Sequence, residues 1–498
     1  MAPMKNSHVT NQLIVSAAAN LGTIASGMAL GFSAVALPAM QMTDHVPHVS
    51  EEQASWVASL TSIGMPAGCL LMGPLLTRLG RRRTLMLVNF PSVLGWLLIA
   101  TAPHSENWPL YLVYVGRLLT GISTGLVSTA AVVYVSEVID RTLRGVVVTW
   151  PSLGVALGIL IVYVLGSIFQ ENWRLVAGIS TCVPIISIAL IWYILPESPV
   201  WLLARGNVEE AELCMRKIRH VPLEERLTED MQKELDAMMA SNTPRSNNRT
   251  WRDDLAYLKR PEAYKPLLIF NSFFFFQQFS GIYVIIFYAV NIIRESGVNF
   301  DGYLATVLIG VSRVVITVII SYASKRFGRR MLCNVSGIGM TLSTGSLAIF
   351  LSLSHGGTIS HETLLTHSWF PITALLLCVL TGTLGFLTLP FAMIGEVFPA
   401  AIRGSAAGFC TFMATIFCFM AVKLYPEMRL WMGYHNVFTF YTVIIVVGTI
   451  VMYFVLPETQ GKTLEEVEDF FRNGGKASCN KTSRNKLLPT KIALEGTR

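Results

Sequence analysis

Gln277 and Gln278 stand side by side in the middle of a long apolar stretch, and Ser280-Gly281 follows them. A carboxamide both donates and accepts hydrogen bonds, so the pair suits the binding of hydroxyl groups. Polar side chains are expensive at membrane depth and usually have a job there. Ser-Gly allows the backbone to unwind locally. Arg313 lies near the middle of the next apolar stretch, with no Asp or Glu at similar depth. A central Arg costs about 2.5–3.5 kcal/mol on insertion scales. Two readings offset that cost: a guanidinium facing a cavity and contacting a polyol or an anionic group, or one satisfied by carbonyls and water.

A second set of charges occurs twice, in one order. Gly80-Arg81-Arg82 recurs as Gly328-Arg329-Arg330. Glu137 with Arg144-Gly145 recurs as Glu396 with Arg403-Gly404, at the same seven-residue spacing. Pro196-Glu197-Ser198 recurs as Pro457-Glu458-Thr459. Each cue ends an apolar stretch. Charges at helix ends can pair across two moving halves when that end is closed and separate when it opens. Topology alone would explain the Arg residues but asks for no carboxylate. The doubling points to two homologous halves.

The elements that hold these residues follow from composition. The chain of 498 residues is 52% hydrophobic and 14% charged, with mean hydropathy +0.53. A soluble domain carries about 25% charged residues. Twelve apolar stretches are long enough to cross hydrocarbon as helices: 13–38, 54–76, 84–102, 109–134, 146–169, 174–195, 266–291, 303–323, 331–353, 369–394, 405–424 and 434–456. The expected fold is all-α, two six-helix bundles with a short helical domain between them. The expected divisions are 1–196, a helical linker 197–265, 266–456 and a tail 457–498. Within the linker, 208–220 and 228–240 read as amphipathic helices and 241–254 as a flexible tether. Residues 1–12 are polar, and no cleavable signal is expected.

The net charge of +7 is no nucleic-acid signal, because basic residues segregate by loop. Links after stretches 2, 4, 6 and 8 hold most of them, whereas 39–53, 103–108 and 354–368 hold none. The positive-inside rule then places both termini in the cytoplasm. The eight cysteines form no C-x-x-C pair and imply no disulfide framework. Histidines of the opposite loops (His45, His48, His104, His355, His361, His367, His435) show no metal-ligand spacing. The Asn248, Asn334 and Asn480 sequons map to the cytoplasmic side and read as chance. No G-x-x-x-x-G-K-[ST] loop for nucleotide occurs. Neither cofactor nor metal is expected, and nothing sets an oligomeric state.

Taken together, Gly116-Arg117, Tyr134-Val135-Ser136-Glu137-Val138, Pro196-Glu197-Ser198-Pro199, Gln277-Gln278-Phe279-Ser280-Gly281-Ile282, Gly395-Glu396 and Pro457-Glu458-Thr459-Gln460-Gly461 are similar to the sugar porters of the major facilitator superfamily. Within them the chain most resembles insect facilitated trehalose transporters and animal glucose facilitators, over about residues 12–471. The resemblance implies no enzyme. It implies facilitated passage of a sugar, trehalose or a hexose, through the plasma membrane by alternating access. Another polar solute, such as a polyol or sugar conjugate, or a non-transporting sugar sensor are the alternatives. It makes Gln277 and Gln278 sugar ligands and Arg81, Arg82, Glu137, Arg144, Glu197, Arg329, Arg330, Glu396, Arg403 and Glu458 a gate.

The chain departs from that family at several positions. Thr77 and Lys325 replace the Asp that precedes each Gly-Arg-Arg by three residues, so a weaker inner gate is expected. Tyr283 replaces an Asn, Arg313 another Asn and Ala414 a third. Ser152, after Pro151, stands where Gln is frequent, and Phe391 where the family has Trp. Phe287-Tyr288 keeps paired aromatics. The expected substrate site is therefore Ser152, Gln277, Gln278, Tyr283, Phe287, Tyr288, Arg313 and Phe391, poorer in amides and rich in aromatics. Proton-driven relatives pair an Asp of the first stretch with the Arg of the fourth. Here Ser33 takes that place opposite Arg117, and passage without proton coupling is expected.

Overall fold

A computed structural model of the chain describes residues 2–472 except 43–48, 104–107, 141–142, 144–146, 148, 220, 222–228, 242–259, 297–299, 324–325, 357–366, 368, 400–401, 461 and 463. Twelve helices are long and apolar enough to cross a membrane. The first six are α1 (Val9–Met40), α2 (Glu51–Leu79), α3 (Arg81–Ala100), α4 (Leu110–Val138), α5 (Trp150–Ile168) and α6 (Trp173–Ile194). The second six are α7 (Pro261–Glu295), α8 (Gly302–Ala323), α9 (Arg329–Ser354), α10 (Trp369–Val397), α11 (Gly404–Met432) and α12 (Tyr434–Val455). All twelve expected spans are present. The eleventh runs past the expected end at 424, and there Arg429 finds a partner on α2.

Packing follows the repeat. Inside the first half α2 lies on α4, α1 on α5 and α3 on α4; inside the second α9 lies on α12 and α10, and α8 on α10. The halves meet through α2 on α11, α8 on α5 and α1 on the second piece of α7. The first two of these pairs are equivalent under the repeat, since α2 corresponds to α8 and α5 to α11.

Close approach of α2 and α4 depends on glycine at both sides. A Cβ on Gly64 would come 2.5 Å from the carbonyl oxygen of Leu118. Gly68 faces Ile122 in the same way, and Gly121 and Gly125 of α4 face Thr61 and Met65 of α2. With lipid as apolar as the side chains, helix association rests on van der Waals packing, and small residues permit it. The start of α2 is closed by Ser50, whose Oγ accepts from the Gln53 amide while Gln53 Oε1 accepts from the Ser50 amide.

Three of the long helices are interrupted, among them α3, which consists of Arg81–Leu87 and Phe90–Ala100. α7 consists of Pro261–Gln278 and Ile282–Glu295, parted at Gly281, whose φ of 81° is left-handed. α10 consists of Trp369–Leu384 and Leu389–Val397, with Pro390 opening the second piece. Between the halves lie helices Pro199–Ala204, Val208–Arg219 and Glu229–Ser241, packed on one another through Leu202, Ala211, Met215 and Leu235. Asn11 Nδ2 ties the end of the middle one to α1 by donating to the carbonyls of Lys217 and Ile218 at 2.8 and 3.0 Å. A last helix, Leu464–Arg472, accepts the Lys265 ammonium at the Phe471 carbonyl, 3.0 Å away.

The glycine seam gives a direct test. Gly64→Val should cost about 1–3 kcal/mol by overpacking, read as a lower thermal unfolding midpoint in detergent. Val substitution at Gly73, around which a Cβ meets nothing within 4 Å, should leave the midpoint in place.

Candidate transport site

The two glutamines are at the break of α7, fully buried, but they are not equivalent. Gln277 Nε2 donates to the carbonyl of Leu387 at 2.9 Å. Leu387 lies in the gap of α10, where the helical partner of that carbonyl is lost. One side chain thus joins the two broken helices. Gln278 Nε2 leans on Gln277 Oε1 at 3.4 Å, while Gln278 Oε1 has no hydrogen-bond partner. Ser280 Oγ donates to the Gln277 carbonyl at 2.7 Å, closing the frayed turn. Gln277 therefore joins the two breaks, and Gln278 keeps an unpaired acceptor.

Arg313 is 6% exposed. It shares the buried face of α8 with Thr306, Ile309, Gly310 and Thr317, while Leu308, Val315 and Ile319 point outward. Its Nη1 has no partner. The phenols of Tyr283 and Tyr163 lie within reach of its charge, and Tyr283 in turn lies beside Gln278. Gln278, Tyr283 and Arg313 thus form one cluster at the meeting of the halves. Tyr163, absent from the expected site, completes it. Its hydroxyl donates to the carbonyl of Ile286 on α7 at 2.7 Å, crossing from one half to the other.

The remaining expected ligands scatter. Phe287 is wholly buried in the apolar core. Tyr288 belongs to a wall nearer the α2 start. It donates to the Val422 carbonyl at 3.3 Å and stacks on Tyr425 with ring centroids 4.9 Å apart. Phe391 is 42% exposed and rests edge-on against Phe274 at 4.9 Å. Ser152 is exposed near the start of α5. Ala414 is buried.

Arg117 is completely buried in α4, and among the described residues no acid pairs with it. Its Nη2 donates to Ser33 Oγ at 2.6 Å, its Nη1 to the Ala29 carbonyl at 2.6 Å, and its Nε to the Val57 carbonyl at 3.0 Å. The Phe32 ring lies 5.6 Å from the guanidinium. Neutral oxygens and one aromatic face carry the whole charge.

At the basic end the doubled charges build two matching clusters. Arg81 pairs with Glu137 at 2.6 Å, and Glu137 also accepts from Ser198 Oγ at 2.5 Å. Glu197 Oε1 accepts the Arg81 and Arg82 amides at 2.7 and 3.0 Å, placing a carboxylate at the first turn of α3. Arg82 bonds the Trp192 carbonyl at 2.6 Å. In the second half Arg329 pairs with Glu396 at 2.9 Å, Thr459 Oγ1 donates to Glu396 at 2.7 Å, and Glu458 accepts the Arg329 and Arg330 amides at 2.9 and 3.2 Å. Arg330 bonds the Tyr453 carbonyl. These pairs all lie inside one half, so here the charges brace each bundle. Thr77 Oγ1 bonds back to Gly73 and Pro74 of its own helix. Arg144, Lys325 and the Arg403 side chain lie outside the described residues.

Two six-helix halves, a polar cluster where they meet and mirrored charges at one end define a membrane transporter. The matches to known proteins place it more closely. The chain belongs to the sugar (and other) transporter family, whose model matches residues 15–471. It is 32% identical over 462 residues to a facilitated trehalose transporter of Drosophila virilis, covering 93% of this chain and 49% of that one. It is 31% identical to one from Culex quinquefasciatus, covering 92% and 85%. The chain thus spans about half the length of the fly relative. Among solved structures it is similar to the proton:xylose symporter XylE bound to 6-bromo-6-deoxy-D-glucose, with TM-score 0.72, 22% identity and coverage of 93% and 100%. The inward open xylose transporter XylE from E. coli gives TM-score 0.74 at 21% identity, covering 92% and 99%.

The unequal glutamines predict unequal variants. Gln278→Ala should raise the KM of the transported solute about tenfold, the factor for one lost hydrogen bond of about 1.4 kcal/mol, and leave thermal stability near the parent's. Gln277→Ala, which strands the Leu387 carbonyl, should lower the unfolding midpoint as well.

Proposed function

We propose that the chain carries a sugar, trehalose or a hexose, down its gradient across the plasma membrane by alternating access, with both termini in the cytoplasm. The family and the trehalose-transporting relatives support the substrate class. The loop bias of Lys and Arg supports the orientation. In this reading the solute meets Gln278, Tyr283 and Arg313 between the halves, and the bundles rock around them. Partners are the sugar and the bilayer, with no nucleic acid and no cofactor.

Arg117 carries the passive mechanism. A symporter needs a group near the cavity that gains and loses a proton in each cycle. Arg117 is held by a serine hydroxyl and two carbonyls, none of which titrates. Among the described residues the acids of the spans gather at their ends, in ion pairs such as Arg81–Glu137 and Arg329–Glu396.

Uptake into proteoliposomes tests this. Labelled trehalose, glucose, fructose and a polyol should include a sugar that enters saturably at one rate with or without a proton gradient. Proton influx accompanying the sugar would overturn the passive mechanism, and no uptake by inserted, folded protein would overturn transport itself. Arg313→Asn should change the order of preference within the panel, because it replaces a fixed cation with a neutral amide; an unchanged order removes Arg313 from the ligand site.

A further inference from the structure

The far end of the molecule, opposite the doubled charge clusters, carries a third group of charges. Arg429 of α11 binds two carboxylates at once. Its Nη2 pairs with Glu51 at the start of α2, in the other half, and its Nη1 pairs with Glu295 at the end of α7, in its own half. Six residues earlier on the same helix, Lys423 Nζ donates to Ser55 Oγ of α2 at 2.6 Å and lies 4.2 Å from the centre of the Trp56 ring. Phe419 meets that ring from α11 as well, at 6.4 Å. Asn291 Nδ2 of α7 donates to Gln41 Oε1, just past the end of α1, at 3.0 Å.

Every one of these contacts except Arg429–Glu295 joins the two halves. At the basic end, the pairs Arg81–Glu137 and Arg329–Glu396 stay within a half. The two ends are thus wired differently: one braces the bundles, the other ties them together. A cavity of about 430 Å³ adjoins the tie, lined by Glu51, Ala54, Tyr288, Asn291, Tyr425 and Arg429 among others. The Tyr425 hydroxyl is buried there without a partner.

We infer that α2 and α11 form a latch that holds the far face shut, with Arg429 as its key and Lys423 on the Ser55–Trp56 step as its second tooth. Glu295 holds the guanidinium in place for Glu51 rather than closing the gap itself. When the far face opens, Glu51, Ser55 and Trp56 leave with α2, and Arg429 stays with Glu295. The departing Glu51 therefore loses its cation and returns to water, while Arg429 keeps Glu295 and never stands bare. This fixes the resting bias of the transporter and does not depend on the identity of its solute.

Cysteine accessibility tests it without any transport measurement. Ala54 is 3% exposed and lines the cavity. In the full-length protein carrying Ala54→Cys, a membrane-impermeant maleimide applied from the far side should react slowly. The parent chain without that cysteine gives the background. Adding Arg429→Gln or Glu51→Gln should speed labelling about tenfold, the shift expected when a closed state loses about 1.4 kcal/mol relative to an open one. Lys423→Met should give a smaller increase. Glu295→Gln, which leaves the cross-half pair intact, should label more slowly than Glu51→Gln. Parent-rate labelling in both Arg429→Gln and Glu51→Gln, in protein that remains monodisperse, overturns the latch. Equal acceleration by Glu295→Gln and Glu51→Gln also overturns it, since Arg429 would then act only within its own half.

Discussion

Hydrocarbon offers no water to a stranded backbone carbonyl, so a helix can break at membrane depth only where protein fills the gap. This constraint organises the centre of the molecule. α10 opens between Leu384 and Leu389, and the side chain that meets the freed Leu387 carbonyl comes from Gln277, beside the break in α7. The break in α10 is tolerable because Gln277 is adjacent, while Ser280 closes the break in α7 from within. The polar cluster then falls at this crossing, where Gln278, Tyr283, Arg313 and Tyr163 gather between the halves. Arg117 obeys the same constraint by a different route. Its charge is spread over Ser33, two carbonyls and the Phe32 ring.

Much of this was legible in the residues. Twelve apolar stretches require twelve helices, because lipid leaves few other ways to satisfy a backbone. The doubled Gly-Arg-Arg, Glu and Pro-Glu cues mark equivalent helix ends, and the structure builds them into matching clusters, down to Ser198 and Thr459 donating to equivalent glutamates. The partnership of Ser33 with Arg117 could also be anticipated, since a buried cation demands an acceptor and the position was identifiable. The direction of pairing was less plain. Charges at helix ends can pair within a half or across it, and only the packing angle decides.

What stayed hidden depends on residues distant in the chain. Nothing near Gln277 reveals that its amide is already engaged by Leu387, 110 positions later. Tyr163 reads as one more aromatic in an apolar run. Arg429 and Glu51 are 378 positions apart, and each resembles an ordinary helix-end charge. Arg429 lies beyond the expected end of the eleventh span at 424, since a window of hydropathy sees a guanidinium but not the carboxylates that receive it. Aromatic residues are ambiguous for a similar reason: Phe287 is as consistent with a core as with a cavity, and the structure buries it among apolar side chains.

The glycine seam between α2 and α4 has a mechanical consequence. α2 spans 29 residues, about 43 Å at 1.5 Å per residue, and carries Pro66 and Pro74 within it. Proline removes a helical hydrogen bond and would make a rod of this length pliant. Gly64 and Gly68 press the backbone flanking Pro66 directly against α4, so the weak point is splinted by its neighbour. A tug on Glu51 then travels down the helix as rotation of a stiff beam rather than dying out as a bend.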